Sequence, residues 1–149
     1  KRGAKRSSHT GQGACPGGSS DPEDRDAIAT AVREAWEEVG WAPQRAQVLG
    51  RLQVYTTGSA FNVTPVVALV PPQPLKPNPQ EVAQVFEVPL AFILDPANHQ
   101  RHRMFWQGRE REWFAMPYKD PHDPLGAEHF IWGATAGMLR NFYRFMAAQ

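Results

Sequence analysis

The sequence has little covalent means of holding a fold together. It contains one cysteine, Cys15, in 149 residues, which excludes an internal disulfide framework. This usage is typical of a reducing compartment, so we expect a cytoplasmic location, although a cysteine-poor secreted protein would have the same composition. The length allows the chain to bury a core of its own, and we expect a single domain over residues 1–149.

An excess of charge of one sign is also missing. Lys and Arg number 16 and Asp and Glu number 15, so the chain as a whole offers no polybasic field for nucleic acid or an anionic membrane. No apolar run approaches the roughly 20 residues that span a bilayer. The charged start, KRGAKRSSHTGQ, is not followed by the apolar stretch of a secretory signal. We expect neither nucleic acid nor a membrane as partner, and any function that depends on charge must be local.

The clearest periodic pattern predicts an amphipathic helix. After a loop rich in Gly, Ser and Pro, apolar residues recur at spacings of three and four and form one buried face of a helix that ends at Gly40. These residues are Ile28, Val32, Ala35, Trp36 and Val39. Acidic residues lie where the helix would begin, and their negative charge is stabilising there because the N-terminal end of the helix dipole is positive. They are Asp21, Glu23, Asp24 and Asp26.

The middle of the chain predicts strands and a stiff loop. Residues 46–57 alternate like a strand, residues 63–70 form a near-continuous apolar run, and a turn at Gly58 and Ser59 would join them as a hairpin. Proline excludes a regular ladder from residues 71–79, PPQPLKPNP, which we expect to be an exposed, stiff loop.

The last part of the chain predicts a second hairpin and a closing helix. Residues 81–90 resemble a strand or short helix, and residues 91–94 a helical turn. Residues 102–106 and 110–116 flank a plausible hairpin turn, and apolar spacing from Ile131 to Phe145 predicts a C-terminal helix docked on a sheet. Because helices and strands do not alternate strictly, we expect a mixed sheet with helices on its faces.

Three carboxylates crowd the end of the first helix, at Glu34, Glu37 and Glu38. We expect them to project on one side, roughly opposite the apolar face. They could be an ordinary solvated acidic face. Each like-charged pair, however, costs about 0.2–0.5 kcal/mol at this spacing, and no Lys lies among them. A divalent cation would reverse the sign of that cost, and Mg²⁺ or Mn²⁺ favours carboxylate oxygens.

Combined with the upstream glycine pair, this helix resembles the Nudix box. The residues REAWEEVGW fill every position of the second half of that box, after Pro16, Gly17 and Gly18. The first half departs from the usual form, because Gly18 and Arg33 are one residue further apart and the early glutamate is missing. Glu23 or Asp24 is the nearest acid to that position.

The longer spacing is similar to that of the coenzyme A pyrophosphatase branch of the Nudix hydrolases. That branch carries His, any residue, Gly-Gln and then Phe-Pro-Gly-Gly, and this chain has HTGQ from His9 and CPGG from Cys15, with Cys15 in place of the Phe. The stretches FNVTPVVALV, EVAQVFEVPLAFILDP and HFIWGATAGMLRNF also resemble it, so the resemblance covers residues 5–142.

The resemblance implies an α/β (α+β) fold, the Nudix-type α/β/α sandwich with a mixed central sheet and helices on both faces. It also implies a strand before the box, and the apolar-poor start leads us to expect that this sequence lacks that strand. The implied activity is metal-dependent hydrolysis of coenzyme A or its derivatives to 3′,5′-ADP and 4′-phosphopantetheine, with Mg²⁺ or Mn²⁺ as cofactor and a small-molecule substrate as partner. The resemblance does not decide whether the protein forms a homodimer.

The resemblance also implies roles for individual residues. Glu34, Glu37 and Glu38 would be metal ligands, with Glu34 also receiving a proton from water, and Arg33 would orient the acids. The substrate-binding residues would be His9, Gly11, Gln12, Gly17 and Gly18. Three further candidates are Glu81, Arg6 and Asp24.

Two other functions stay open at this point. The first is a Nudix hydrolase for another substrate, such as NADH, ADP-ribose or a damaged nucleotide, which the altered Cys15 region allows. The second is a non-catalytic Nudix-fold nucleotide-binding module, favoured if the irregular first half of the box abolishes metal affinity. The three intact glutamates, Glu34, Glu37 and Glu38, count against this second alternative.

Overall fold

The protein was analysed as a computed structural model that describes residues 12–149. The chain divides into two compact units, residues 1–85 and 86–149, and each unit is described by itself. The mixture of helices and antiparallel strands confirms the expected α+β class. The single domain expected over residues 1–149 stays a prediction.

The first helix, α1 (Ala27–Val39), ends where the sequence predicted. Gly40 has φ of 74°, and its N–H donates to the Trp36 carbonyl at 3.0 Å. This left-handed conformation strongly favours glycine, because a Cβ would crowd the backbone. At the other end, Asp26 caps the helix by accepting from the Ala29 N–H at 2.8 Å. No acid lies in the first turn, so among the predicted acids only Asp26 acts on the helix end directly.

The buried face of α1 differs from the predicted one. Thr30, Glu34 and Val39 are its buried residues, whereas Trp36 is 54% exposed. The preceding loop explains part of the difference, because Ser20 contacts Thr30 and Gly18 approaches Glu34. The expectation that the three glutamates project on one side, roughly opposite the buried face, is therefore wrong for Glu34.

The predicted first hairpin is present but interrupted. Its outer part pairs β1 (Gln47–Arg51) with β4 (Val66–Leu69), and its inner part pairs β2 (Tyr55–Thr56) with β3 (Asn62–Val63), both antiparallel. Pro65 lies at the break, where it has no N–H to donate and its carbonyl accepts from the backbone of residue 52. Helix α1 packs beside β4.

The proline-rich stretch, residues 71–79, contains no helix or strand, as predicted. Its backbone nevertheless binds the end of α1, since Lys76 N donates to the Val39 carbonyl at 2.9 Å and Asn78 N to the Glu38 carbonyl at 2.8 Å. Carbonyls in the last turn of a helix have no partner within the helix, so this stretch satisfies two of them. It is a cap for α1 rather than only an exposed loop.

The second unit is built on a three-stranded antiparallel sheet in the order β5-β6-β7. Its strands are β5 (Gln100–Trp106), β6 (Arg109–Lys119) and β7 (Glu128–Trp132), preceded by the short helix α2 (Leu90–Ile93). The predicted turn between β5 and β6 is confirmed, with positive φ angles of 49° at Gln107 and 73° at Gly108.

The C-terminal helix α3 (Gly133–Ala147) packs on β6 and β7, as predicted. It begins later than expected, because Ile131 belongs to β7. The core of this unit is apolar and lies between α2, the sheet and α3. Its buried residues are Ile93, Met116, Tyr118, Ile131 and Ala136.

The arrangement of strands is consistent with the expected α+β fold. Within residues 12–149, the strands form three sheets whose paired strands run antiparallel. Short connections explain much of this, because neighbouring strands joined by a tight turn must run antiparallel, whereas a parallel pair needs a long crossover. No helix in the described residues is both long enough and apolar enough to cross a membrane.

We predict that Gly40→Ala destabilises the protein. Alanine would have to adopt a left-handed conformation, which costs about 1–2 kcal/mol, and its Cβ would also lie 3.1 Å from the Lys76 Cβ. Urea unfolding should show a lower midpoint for this variant. The matched control is Gly58→Ala, where an added Cβ meets nothing within 4 Å. Equal midpoints for Gly40→Ala and the wild type would contradict this account.

Candidate functional site

An ion pair between Arg33 and Asp24 lies at the centre of the first unit. Arg33 Nε donates to Asp24 Oδ1 at 3.0 Å, and Nη2 donates to Oδ2 at 2.9 Å, which is a two-pronged contact. The Asp24 side chain is only 7% exposed. The hydrogen bond from Arg33 holds the pKa of Asp24 well below its usual range, and the same bond raises the pKa of Arg33. Both groups are therefore charged at neutral pH.

The loop before α1 completes this ion pair. Asp21 N donates to Asp24 Oδ2 at 2.8 Å, and Arg33 Nη2 donates to the Ser19 carbonyl at 3.0 Å. The Thr30 hydroxyl, which is buried, lies 3.0 Å from Asp24 Oδ2 and donates to it. Sequence reasoning missed Thr30. Its position one helical turn before Glu34 was the available signal, because residues four apart share a face.

Glu34 is buried against the glycine loop. It is 8% exposed, and a Cβ placed on Gly18 would overlap its carboxylate, lying 2.9 Å from Oε2 and closer still to Oε1. Burial raises the pKa of Glu34, the positive charge of Arg33 opposes that shift, and the charges of Glu37 and Glu81 add to it. The absence of a side chain at Gly18 is what gives this carboxylate room.

The other two acids of α1 have different partners. Glu38 Oε2 accepts from the Gly17 N–H at 3.2 Å. Glu37 Oε2 accepts from Arg33 Nη1 at 3.2 Å, and the same Nη1 lies 3.4 Å from Glu34 Oε1. The positive charge of Arg33 thus offsets the repulsion between Glu34 and Glu37, a role that we had looked for in a lysine. Glu34 and Glu38 face the glycine loop, whereas the Glu37 side chain is 47% exposed.

The structure also brings Glu81 to this part of the first unit. The negative charge of Glu81 is one of the influences that raise the pKa of Glu34. Its N–H donates to the Asn78 carbonyl at 3.0 Å, and Asn78 is in turn bound to the end of α1. Glu81 therefore lies near the helix that carries the other acids, although 43 residues separate it from Glu38 in the sequence (81 − 38).

Most of the predicted site residues that the structure describes come together. Gly17, Gly18, Asp24 and Arg33 contact one another or the three glutamates of α1, and Glu81 joins them. Gln12 lies half-buried at the start of the described residues. Arg6, His9 and Gly11 lie outside the described residues.

The chemistry of the donor set suits a hard divalent cation. The glutamates of α1 offer carboxylate oxygens, and Gly18 leaves open the space beside Glu34 that a Cβ would fill. Within residues 12–149, however, no three His, Cys, Asp or Glu side chains stand together in an arrangement that could hold a metal ion. The contacts of Arg33 with Glu34 and Glu37 give a physical reason. The acids fit the cation by type and must reorient to hold it.

We predict that the Asp24–Arg33 pair makes stability depend on pH. Because folding lowers the pKa of Asp24, its contribution is present above the unfolded pKa of about 3.9 and is lost as pH falls below it. Asp24→Asn should unfold at lower urea than the wild type at pH 7, and this gap should narrow towards pH 2.

The matched control for that prediction is Asp123→Asn, which replaces an aspartate of the second unit whose Oδ1 accepts from the Leu125 N–H. It should leave the pH dependence of the unfolding midpoint close to that of the wild type. A constant gap between Asp24→Asn and the wild type from pH 7 to pH 2 would contradict the assignment.

Comparison with known proteins finds a family match over the part of the chain that holds these residues. The model of the NUDIX domain matches residues 3–116, which include the glycine loop, α1 and Glu81. Proteins named uncharacterized Nudix hydrolase NudL are similar along most of the chain. The one from Photorhabdus laumondii is 40% identical over 93% of this chain and 71% of its own length, and the one from Pectobacterium atrosepticum 39% identical over 93% and 69%.

The similarity extends to the NudL protein of Escherichia coli, which is 37% identical over 89% of this chain and 65% of its own length. These matches support the resemblance of residues 16–41 to the Nudix box. The names of the matched proteins do not state a substrate. Nudix hydrolases generally use divalent metals, in keeping with the carboxylates of α1. The chain belongs to the Nudix hydrolase family.

Proposed function

We propose that this Nudix hydrolase cleaves the pyrophosphate bond of coenzyme A or one of its derivatives, with Mg²⁺ or Mn²⁺ held by Glu34, Glu37 and Glu38. One observation carries the metal assignment. The glycine loop is bound to two of these acids, through the Gly17 N–H on Glu38 and the space that Gly18 leaves for Glu34. An ordinary solvated acidic face has no need of such a loop.

A pyrophosphate is anionic and repels hydroxide, so its hydrolysis needs neutralisation of charge and an oriented water. A bound dication supplies both, because it contacts phosphate oxygens and lowers the pKa of the water it holds. Glu34 is suited to take the proton from that water. Glu34 is only 8% exposed and its carboxylate lies against Gly18, so it has a defined position beside the other acids.

Asp24 and Arg33 orient the glutamates of α1. Glu34 and Glu37 must release Arg33 Nη1 in order to bind a dication. The guanidinium stays in place when they do so, since Asp24 holds Nε and Nη2, and the Ser19 carbonyl also holds Nη2. Arg33 Nη1 would keep an ion-pair partner in Asp21, whose Oδ2 lies 3.5 Å away. Asp24 thus acts as the supporting acid that the irregular first half of the box lacks.

The choice of coenzyme A rests on the sequence before α1. The motif HTGQ followed by CPGG is similar to the substrate motif of the coenzyme A pyrophosphatase branch. We propose that His9, Gly11 and Gln12 contact the substrate, and that Gly17 and Gly18 bring backbone close to its phosphates. Arg6 is the candidate for the 3′-phosphate that distinguishes coenzyme A from other ADP derivatives.

The proposal predicts selective cleavage of coenzyme A. Coenzyme A, NADH and ADP-ribose would each be incubated with the protein and either Mg²⁺ or Mn²⁺, and the products followed by phosphorus NMR and mass spectrometry. We expect 3′,5′-ADP and 4′-phosphopantetheine from coenzyme A, only when a divalent ion is present. Cleavage of NADH or ADP-ribose alone would reject the substrate. Binding without cleavage of any of the three would favour a nucleotide-binding module.

The glycine loop offers a variant that tests the position of Glu34. Gly18→Ala should displace the Glu34 carboxylate, because the new Cβ would overlap it, while the flexible side chain can move without unfolding the protein. The control is Gly58→Ala, at a glycine outside the proposed site where an added Cβ meets nothing within 4 Å. We expect kcat to fall at least about 10-fold for Gly18→Ala, the scale on which misplaced catalytic groups act, and to stay near the wild type for Gly58→Ala. Equal kcat values for the two would contradict the role of Glu34.

A further inference from the structure

One face of the sheet in the second unit lies opposite the core. Residues that stand opposite one another on paired strands point to the same side of a sheet. Helix α3 and the apolar core lie on the side that carries Met116, Tyr118 and Ile131. The other side, which we call the aromatic face, carries His102 and Trp106 of β5, Arg109, Arg111 and Trp113 of β6, and Trp132 of β7.

Aromatic rings lie on all three strands of this face. The His102 ring is stacked on the Trp113 ring with centroids 4.4 Å apart, and the Trp113 ring meets the Trp132 ring edge-on at 5.8 Å. Trp132 is 36% exposed, and Trp106, at the end of β5, is 56% exposed. Exposed flat rings are surfaces on which other flat rings stack, so the face suits a ligand that carries several such rings.

Charge is divided between the two sides of the hairpin formed by β5 and β6. On the core side, Glu112 Oε1 lies 3.2 Å from Arg101 Nε, and Glu112 Oε2 lies 3.4 Å from Arg103 Nε. Glu110 Oε1 lies 3.9 Å from Arg103 Nη1 on the same side. Both acids of the hairpin are therefore paired with arginines away from the aromatic face.

The aromatic face of this hairpin is left with positive charge. Arg109 lies opposite Trp106, Arg111 follows two residues later on the same side, and both arginines are exposed. Neither makes an ion pair with another side chain in the part of the chain that the structure describes. The acid of this face, Glu128 of β7, lies opposite Lys119 at the other end of β6. The near-zero net charge of the whole chain does not reveal this local cationic surface.

We propose that the aromatic face binds single-stranded nucleic acid, with phosphates on Arg109 and Arg111 and a base stacked on Trp106. Every base has a ring face, and a guanidinium suits phosphate oxygens, so one ligand matches both features of the surface. The inference goes beyond the proposed hydrolysis and does not rest on it, because no residue of the glycine loop or of α1 takes part.

The extent of the aromatic face favours a strand over a mononucleotide. Trp132 lies level with Gln100, since both stand opposite Ala115. Gln100 is six residues before Trp106 on β5 (106 − 100), which is about 20 Å along the strand at about 3.4 Å per residue. One nucleotide cannot reach both tryptophans, whereas a strand of several nucleotides can.

Fluorescence anisotropy of a labelled deoxythymidine oligonucleotide of about 15 nucleotides, a length that covers the usual site size of such surfaces, tests the proposal with the full chain. We expect binding that weakens as the salt concentration rises. We also expect the single strand to bind at least about 10-fold more tightly than a duplex of the same length, because paired bases cannot stack on the protein.

One matched pair of variants tests the stacking. Trp106→Ala should weaken binding of the oligonucleotide about 5–100-fold, the range expected for loss of one stacked base. Phe105→Ala removes a ring that is 74% exposed on the other side of the same strand, and it should leave the affinity unchanged. Equal affinities of the two variants would overturn the inference.

A second matched pair tests the charge. Arg109→Gln combined with Arg111→Gln should weaken binding and reduce the slope of log affinity against log salt by about 1.4, because each phosphate contact of a single strand contributes about 0.7. Arg101→Gln combined with Arg103→Gln removes the same charge from the core side and should leave the slope close to that of the wild type. All of these side chains are exposed, so urea midpoints near that of the wild type should show that the variants fold.

Other occupants of the aromatic face would give different results. No binding of the oligonucleotide at low salt, or equal affinity for strand and duplex, would overturn the inference. Sedimentation with vesicles of phosphatidylcholine and phosphatidylserine, lost in Trp106→Ala and without binding of the oligonucleotide, would assign the face to a lipid surface instead. A dimer that Trp106→Ala dissociates in sedimentation velocity would assign it to a second copy. Failure of the wild type to cleave coenzyme A would overturn only the proposed function.

Discussion

The site depends first on the contact between the Arg33 guanidinium and the Asp24 carboxylate. This pair joins α1 to the loop before it, and the Ser19 carbonyl and the Thr30 hydroxyl bind to it from either side. A charged pair with so little exposure is stabilising only when its remaining polar atoms are also bonded, and here they are. The loop that carries Gly17 and Gly18 therefore has a fixed position relative to the helix.

A second constraint acts at the other end of α1. The last carbonyls of a helix need partners, and the proline-rich stretch supplies them through Lys76 and Asn78. Proline suits this stretch, because it cannot join a strand and keeps the backbone free to approach the helix. Gly40 allows that approach through its left-handed conformation. Thus α1 is held by irregular backbone at both ends, and acids from three parts of the first unit lie near one another.

The sequence predicted the parts of the fold that depend on local pattern. The end of α1 at Gly40, the hairpin turn at Gln107 and Gly108, and the docking of α3 on its sheet are all confirmed. Side-chain orientation was harder to predict. Trp36 was expected on the buried face and Glu34 opposite that face, and both expectations are wrong. The loop before α1 contributes to the burial of Thr30 and Glu34, which the period of the helix does not reveal.

The residues of the candidate site that belong to a known motif could be predicted from the sequence. The box drew attention to Arg33 and the glutamates, and Asp24 was named as one of two acids near the missing position. Periodicity cannot reveal bonds between distant segments, so the role of Thr30 and the link from Asn78 to Glu38 were not foreseen. The prolines predicted an irregular loop over residues 71–79, but no spacing in that stretch indicates what its backbone binds.

The proposed binding of a dication by the acids of α1 can be tested directly. A crystal of the protein grown without metal and then soaked in Mn²⁺ would show where the ion binds and which side chains move. The account predicts anomalous density beside Glu34 and Glu38, with carboxylate oxygens about 2.1 Å from the ion, as for other small hard cations. It also predicts that Arg33 keeps Asp24 while it releases Glu34 and Glu37. An ion bound elsewhere, or no ion with Arg33 still on both glutamates, would contradict the account.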